Sequence, residues 1–243
     1  MKFSLRTYSA MLLVAGLSAT APTQAALHDR GGDLIYDDVS DVTWQKNANL
    51  LNTNPFGRIY GLDYGPDSFG NPTSIIYAGG TADLGGALAW IAAMNAANYL
   101  GYSDWRLPSA LNLDGSGPCG PSNCVNSEIG QLFYGELGGT AGQPILNSTD
   151  PDLSLFENIQ SNRYWTSTDW GSNGLQWYFD MNNGIQWGVT KFTGTLSVWA
   201  VRSGDVAAVP EPQTYAMLLA GLGLVGMMAR RGRRQADRLK DAA

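Results

Sequence analysis

Gly101-Tyr-Ser-Asp-Trp-Arg-Leu-Pro-Ser109 is the stretch against which the rest of the chain is read. It sets an aromatic pair, an arginine and a proline in a short run, directly after a long Ala-rich segment. Pro108 disfavours the helical region for Leu107, so the chain has to extend and turn there. In an acidic domain Arg106 is expected to hold a carboxylate or loop carbonyls with its two-pronged guanidinium. A ligand-binding Arg106 is the sharper alternative, but an Arg beside a Trp is more often glue between elements. Arg163-Tyr-Trp-Thr-Ser-Thr168 and Val198-Trp-Ala-Val-Arg-Ser-Gly204 answer the motif further on, and the three together predict one compact domain.

Upstream of the motif, Thr81-Ala-Asp-Leu84 reads as a helix start, with Thr81 or Asp83 accepting a free backbone N–H. Leu84, Leu88 and Ile91 recur at helical spacing, and Ala87, Trp90, Met94 and Ala97 widen that face toward a core. Gly85 and Gly86 are expected to weaken the first turn, and Gly101 to stop the helix. A second short helix is expected over 127–137, with Ile129, Leu132 and Phe133 inward and Gly138-Gly139 ending it. Earlier still, Asp33–Asp38 reads as a first strand and Val42-Thr-Trp44 as an apolar patch. The segments 47–57 and 61–72 read as loop.

From Tyr164 onward the pattern turns to strands. Leu175-Gln-Trp-Tyr-Phe-Asp-Met181 and Ile185-Gln-Trp-Gly-Val189 alternate strictly, which predicts two half-buried strands of a hairpin. A three-residue loop, Asn182-Asn183-Gly184, keeps the apolar faces together by setting Met181 opposite Ile185 and Phe179 opposite Trp187. That register puts Trp177 and Trp187 inward on one face and turns Gln176 and Gln186 away. One last strand is expected over Leu196–Ser203.

The ends are of another kind. Residues 1–25 read as a secretory signal: Lys2 and Arg6 precede a short apolar core, and Thr23-Gln-Ala25 supplies small residues for cleavage after Ala25 or Ala26. Residues 27–205 are left as the domain and 206–212 as a linker holding Pro210-Glu211-Pro212. Residues 213–234 read as a membrane helix with an Arg cluster opening at Arg230 and Arg231, and 235–243 as a polar tail. Between 27 and 209 stand 7 basic and 18 acidic residues, a balance of −11 against −6 for the whole chain. So acidic a domain repels phosphate backbones, which excludes nucleic acid as a partner and disfavours anionic glycans.

The tail resembles the PEP-CTERM sorting signal of Gram-negative bacteria in the order and spacing of its three parts: Val-Pro-Glu-Pro, a Gly-rich apolar segment and the Arg cluster. That resemblance implies handling by an exosortase-type membrane protease, cleavage near Pro210-Glu211-Pro212, and transient inner-membrane anchoring before release to the cell surface or extracellular matrix. It also implies an association with extracellular polysaccharide. The body resembles the family of the Lcl C-terminal domain, also called DUF1566. The residues that carry this are Asp41-Val-Thr-Trp44, Gly101–Ser109 with Trp105, Arg106, Leu107 and Pro108, Tyr164-Trp165-Thr-Ser-Thr168, and Trp199-Ala-Val-Arg202. The same blocks are similar to those of C-type-lectin-like and formylglycine-generating-enzyme-like folds. The resemblance implies an α+β, C-type-lectin-like domain with two helices packed on short antiparallel sheets, joined to a C-terminal transmembrane helix. It further implies adhesion or glycan binding, by analogy of fold.

The chemistry legible in the residues is sparse. His28 is the one histidine, so Ser-His-Asp and Cys-His arrangements are excluded and no enzyme is expected. Cys119 and Cys124, the two cysteines, are expected to pair in an exported chain; without further Cys or His beside them they cannot complete a zinc site. Asn112-Leu-Asp-Gly-Ser-Gly117 has the flavour of a Ca2+ loop but lacks its later Glu, so it reads as a turn. No cofactor or metal is expected, since no specific motif supports Ca2+. Trp and Tyr faces stack on sugar rings, and Asp and Asn bind hydroxyls. Asp169, Trp170, Asp180, Asn182 and Asn183 are therefore the candidate ligand contacts. The alternative is a secreted carbohydrate-active enzyme using a carboxylate pair from Glu128, Glu136 and Glu157.

Overall fold

A computed structural model describes residues 27–66, 73–171, 174–192 and 194–206. Strands β1 (Leu27–Gly31), β2 (Leu34–Asp37), β3 (Val42–Gln45) and β10 (Val201–Ser203) make an antiparallel sheet in the order β1-β2-β3-β10. A six-stranded sheet runs β4-β5-β9-β6-β7-β8, from β4 (Ile76–Tyr77), β5 (Thr81–Ala82), β6 (Arg163–Asp169), β7 (Leu175–Asp180), β8 (Ile185–Thr190) and β9 (Leu196–Ser197). Its one parallel pairing is β6 with β9, through Tyr164 and Ser197. Helices α1 (Leu84–Ala96) and α2 (Glu128–Gln131) complete the α+β domain, α2 running on into a π-helical turn, Leu132–Glu136.

The sheets divide the core in two. One cluster gathers Leu84, Ala87, Trp90, Ile91 and Met94 of α1 with Trp105, Leu107 and Trp165. The other gathers Ile129, Leu132 and Phe133 with Trp44, Tyr164, Phe179 and Trp199. Neighbours on one strand part between them: Leu34 from Ile35, Tyr164 from Trp165, Tyr178 from Phe179. That is the two-residue period of a strand covered on both faces.

This double burial corrects the hairpin. The loop has four residues, Met181 to Gly184, and pairs Asp180 with Ile185, Phe179 with Gln186 and Tyr178 with Trp187. The Asn183 and Gly184 N–H groups both return to the Asp180 carbonyl, at 3.2 and 2.7 Å. Gln176 and Gln186, expected outside, are buried, while Trp187 is 45 % exposed. Buried amides survive because they are bonded: the Gln176 Nε2 donates to Thr166 O, and the Gln186 Nε2 to Ala110 O and Cys119 O.

Several boundaries also move. Asp83 caps α1, its carboxylate accepting the Gly86 N–H at 2.6 Å, while Thr81 belongs to β5. The helix stops at Ala96, before Gly101, because Asn98 takes the left-handed conformation (φ 49°, ψ 48°) that Asn tolerates better than most residues. The single last strand is two: β9 lies in the larger sheet and β10 in the smaller, with Trp199 buried where the chain crosses between them. Val206, the first residue of the expected linker, is buried in the α1 cluster.

The expected fold class is also corrected at its C-terminal part. The finding is an α+β domain with two helices and two sheets, and among the described residues no helix is long and apolar enough to cross a membrane. The transmembrane part of the expected fold class is therefore not carried forward, and its segment, 213–234, lies outside the described residues. The signal segment 1–25 and the motif residues Pro210, Glu211, Pro212, Arg230 and Arg231 lie outside the described residues.

Candidate functional site

The Arg-Leu-Pro motif is built into the frame. Arg106 exchanges backbone bonds with Val201, at 2.8 and 2.9 Å, which stitches the motif to β10. Its guanidinium forks onto Glu128, Nη1 to Oε2 and Nη2 to Oε1, both at 2.8 Å. The Ser109 N–H donates to the same Oε2 at 2.7 Å, so both carboxylate oxygens are occupied. Leu107 is buried, and the Pro108 carbonyl accepts the Ser167 N–H at 2.8 Å. Trp105, Trp165 and Trp199 are buried and donate their indole N–H groups to the carbonyls of Tyr99, Ala82 and Gln45. Burial pushes the Tyr164 phenol well above its ordinary range, and its oxygen accepts the Gln160 N–H. Arg202 grips Asp104 with two bonds of 2.9 Å and lies 4.2 Å over the Tyr102 ring. The Arg202 bond holds the Asp104 carboxyl below its usual range.

The candidate ligand contacts fall into two groups. In the β6–β7 ladder Asp169 pairs with Gln176 and Asp180 with Arg163, so the groups sit at opposite ends of β6. Six residues of strand are about 20 Å. Asp180 is a turn residue: it is buried, its Oδ1 accepts the Asn182 N–H at 2.9 Å, and its Oδ2 faces Arg163 at 3.4 Å. Asn183 accepts the Ile185 N–H within the same turn, and Asn182 is exposed. The side chains of Asp180 and Asn183 thus hold the hairpin loop.

Asp169 and Trp170 stand in a different setting. Partial burial pushes the Asp169 carboxyl up, but bonds from Lys191 and the Gly171 N–H outweigh it and hold the group below its ordinary range. The Trp170 ring lies 4.1 Å from Trp177 at 32°, and 5.1 Å from Trp187 at 68°. Trp187 and nearby Phe192 are 45 % and 46 % exposed. Gly188 makes room for this stack: a Cβ there would come within 2.6 Å of the Trp170 ring. The disulfide loop backs it from the other side. Cys119 and Cys124 are bonded, the Pro121 carbonyl accepts the Gln186 N–H at 2.7 Å, and a Cβ on Gly120 would meet both Trp177 and Trp187 at 3.2 Å. Reading the sequence alone misses Trp177 and Trp187 as the ring partners of Trp170. The small residue beside Trp187 in Gln186-Trp-Gly188 is the signal that carries it.

The other chemical candidates are dispersed. Glu136 is buried against Gln131, Glu157 is exposed, and Glu128 is taken by Arg106. His28 faces Asp38 at 3.2 Å on the surface. Among the described residues no group of three or more His, Cys, Asp or Glu could hold a metal. A wider cleft of about 550 Å³ lies between Gly138 and Pro151, with Asp150 its one titratable group and no aromatic ring in its lining. An exposed ring offers a flat apolar face that this polar cleft lacks, so the tryptophan surface is the stronger candidate for a carbohydrate.

Two family models match the sequence: Lcl C-terminal domain over residues 33–202, and PEP-CTERM protein-sorting motif over residues 208–234. No curated protein and no solved structure matches the chain.

Proposed function

Since this chain belongs to the Lcl C-terminal domain family and carries a PEP-CTERM protein-sorting motif, we propose that it holds neutral polysaccharide at the cell surface through Trp187, which Trp170 and the buried Trp177 support. The protein is exported, passes transiently through the membrane in a sorting step that an exosortase-type partner performs, and ends at the surface or outside the cell. We assign its Lcl-type domain no catalytic step: among the described residues no group of three or more His, Cys, Asp or Glu could hold a metal. One observation supports the carbohydrate: Trp187 stays 45 % exposed while set edge-on against the tilted Trp170–Trp177 pair. A large ring left in water on a rigid base suits the apolar face of a pyranose. Asp169 and Lys191 beside it neutralise one another, and the acidic balance of the domain disfavours anionic chains.

The test is a glycan array probed with the intact protein released from its source cell and with its Trp187→Ala variant. Binding to neutral glycans that falls about tenfold in the variant, near 1.4 kcal/mol, is the expected outcome. Equal binding by both proteins would remove the tryptophan surface from the reading.

A further inference from the structure

The chain does not run free at the end of β10. The Gly204 N–H donates to Asp41 O at 2.8 Å, and Thr43 Oγ1 donates to Gly204 O at 2.7 Å. Asp205 then receives both arms of Arg30, Nε to Oδ1 at 2.8 Å and Nη2 to Oδ2 at 2.6 Å. Its Oδ1 also accepts the Val206 N–H at 2.7 Å, and Val206 is only 6 % exposed. Three consecutive residues are thus fastened to β1, β3, the β2–β3 turn and the core. Only Ala207, Ala208 and Val209 separate Val206 from Pro210-Glu211-Pro212. Fully extended, three residues reach about 11 Å.

A protease binds its substrate as an extended strand, several residues to each side of the bond it cuts. With a tether this short, the residues on the N-terminal side of the motif are the fastened ones. We propose that Gly204–Val206 is a latch that gates sorting: the exosortase-type partner engages the motif only after this segment peels from the domain. The inference rests on the reading that the chain is cut near Pro210-Glu211-Pro212. Cutting then tracks the population of the peeled form, provided peeling and closing are fast relative to cleavage. The Arg30–Asp205 pair is the part most open to manipulation, because its side chains are 22 % and 43 % exposed and neither belongs to the core. Arg30 also lies over the Tyr36 ring at 5.2 Å.

The experiment is a pulse-chase of the full chain in its source cell, following loss of the C-terminal segment by mass. Asp205→Ala is expected to speed processing about two- to fivefold, the range that loss of an exposed ion pair allows. The charge swap Arg30→Asp with Asp205→Arg should return the rate toward that of the unaltered protein. Eight Gly/Ser residues inserted after Val206 should make processing fast and insensitive to Asp205→Ala. Processing of the unaltered protein at a rate that neither the substitution nor the insertion changes would overturn the latch alone. An unaltered protein that keeps its C-terminal segment after release would overturn the cleavage reading and the latch with it.

Discussion

Glu136 is a carboxyl that the fold carries at a cost. Burial raises its pKa, the Gln131 amide offsets part of that, and the charges of Asp37, Asp38 and Asp152 add to the rise. Among the described residues its Oε2 is buried without a hydrogen-bond partner, and burial likewise raises Asp37, against bonds from Ser40, Val39 and Trp44. A carboxyl whose folded pKa is raised contributes its stability below the unfolded value and loses it as pH climbs through the folded one. Glu136→Gln removes the titration and keeps the shape. The variant should therefore gain on the natural protein from pH 4 to pH 7, measured as the difference between their urea midpoints; a constant difference would contradict the burial argument. Arg106 makes the opposite case. Its partner Glu128 has an 11 % exposed side chain and depends on two parallel bonds that an ammonium cannot reproduce. Arg106→Lys should lower unfolding free energy by about 1–3 kcal/mol in the same assay. That Arg106 is held by the fold could be read from its neighbours Trp105 and Pro108. Which carboxylate takes the fork could not, because Glu128 comes 22 residues later, beyond the disulfide loop.

At the scale of the element, strongly periodic segments were legible and their partners were not. Leu84, Ala87, Trp90, Ile91 and Met94 of α1 are buried where the spacing put them, Leu88 is half-buried, Ala97 is exposed beyond the helix, and Ser127 caps the second helix. The hairpin register failed for a physical reason: alternation identifies an inward face only when the other face is wet. Here β7 is buried on both sides, so Gln176 and Gln186 mark bonded interior positions rather than a solvent face. The glycines of α1 show the same limit. Composition assigns Gly86 a weak first turn, whereas its position is one of close approach, where a Cβ would sit 2.0 Å from the Ile75 carbonyl oxygen. Gly→Ala inside a helix ordinarily stabilises by about 0.5–1 kcal/mol. Gly86→Ala should instead destabilise by about 1–3 kcal/mol, as overpacking does. A rise in the melting temperature of the variant would show that the helix can move away from Ile75.

The whole molecule joins an acidic, doubly layered domain to a sorting segment, and the two were not equally legible. The address was readable because sorting segments are local in sequence, a run of residues whose order is the signal. A binding surface is not local. Trp170, Trp177 and Trp187 come from two strands and the segment beside them, and only the fold brings their rings together. Asp180 and Asn182, which look like equals of Asp169 in the sequence, are carried to the far end of β6. The most direct test takes the protein released from its source cell and titrates neutral polysaccharide from the matrix of that cell into it by calorimetry. New reducing ends are assayed in the same sample. Saturable heat that disappears with Trp187→Ala, with no new reducing ends, is the expected result. New reducing ends, or saturable heat that survives Trp187→Ala unchanged, would contradict it.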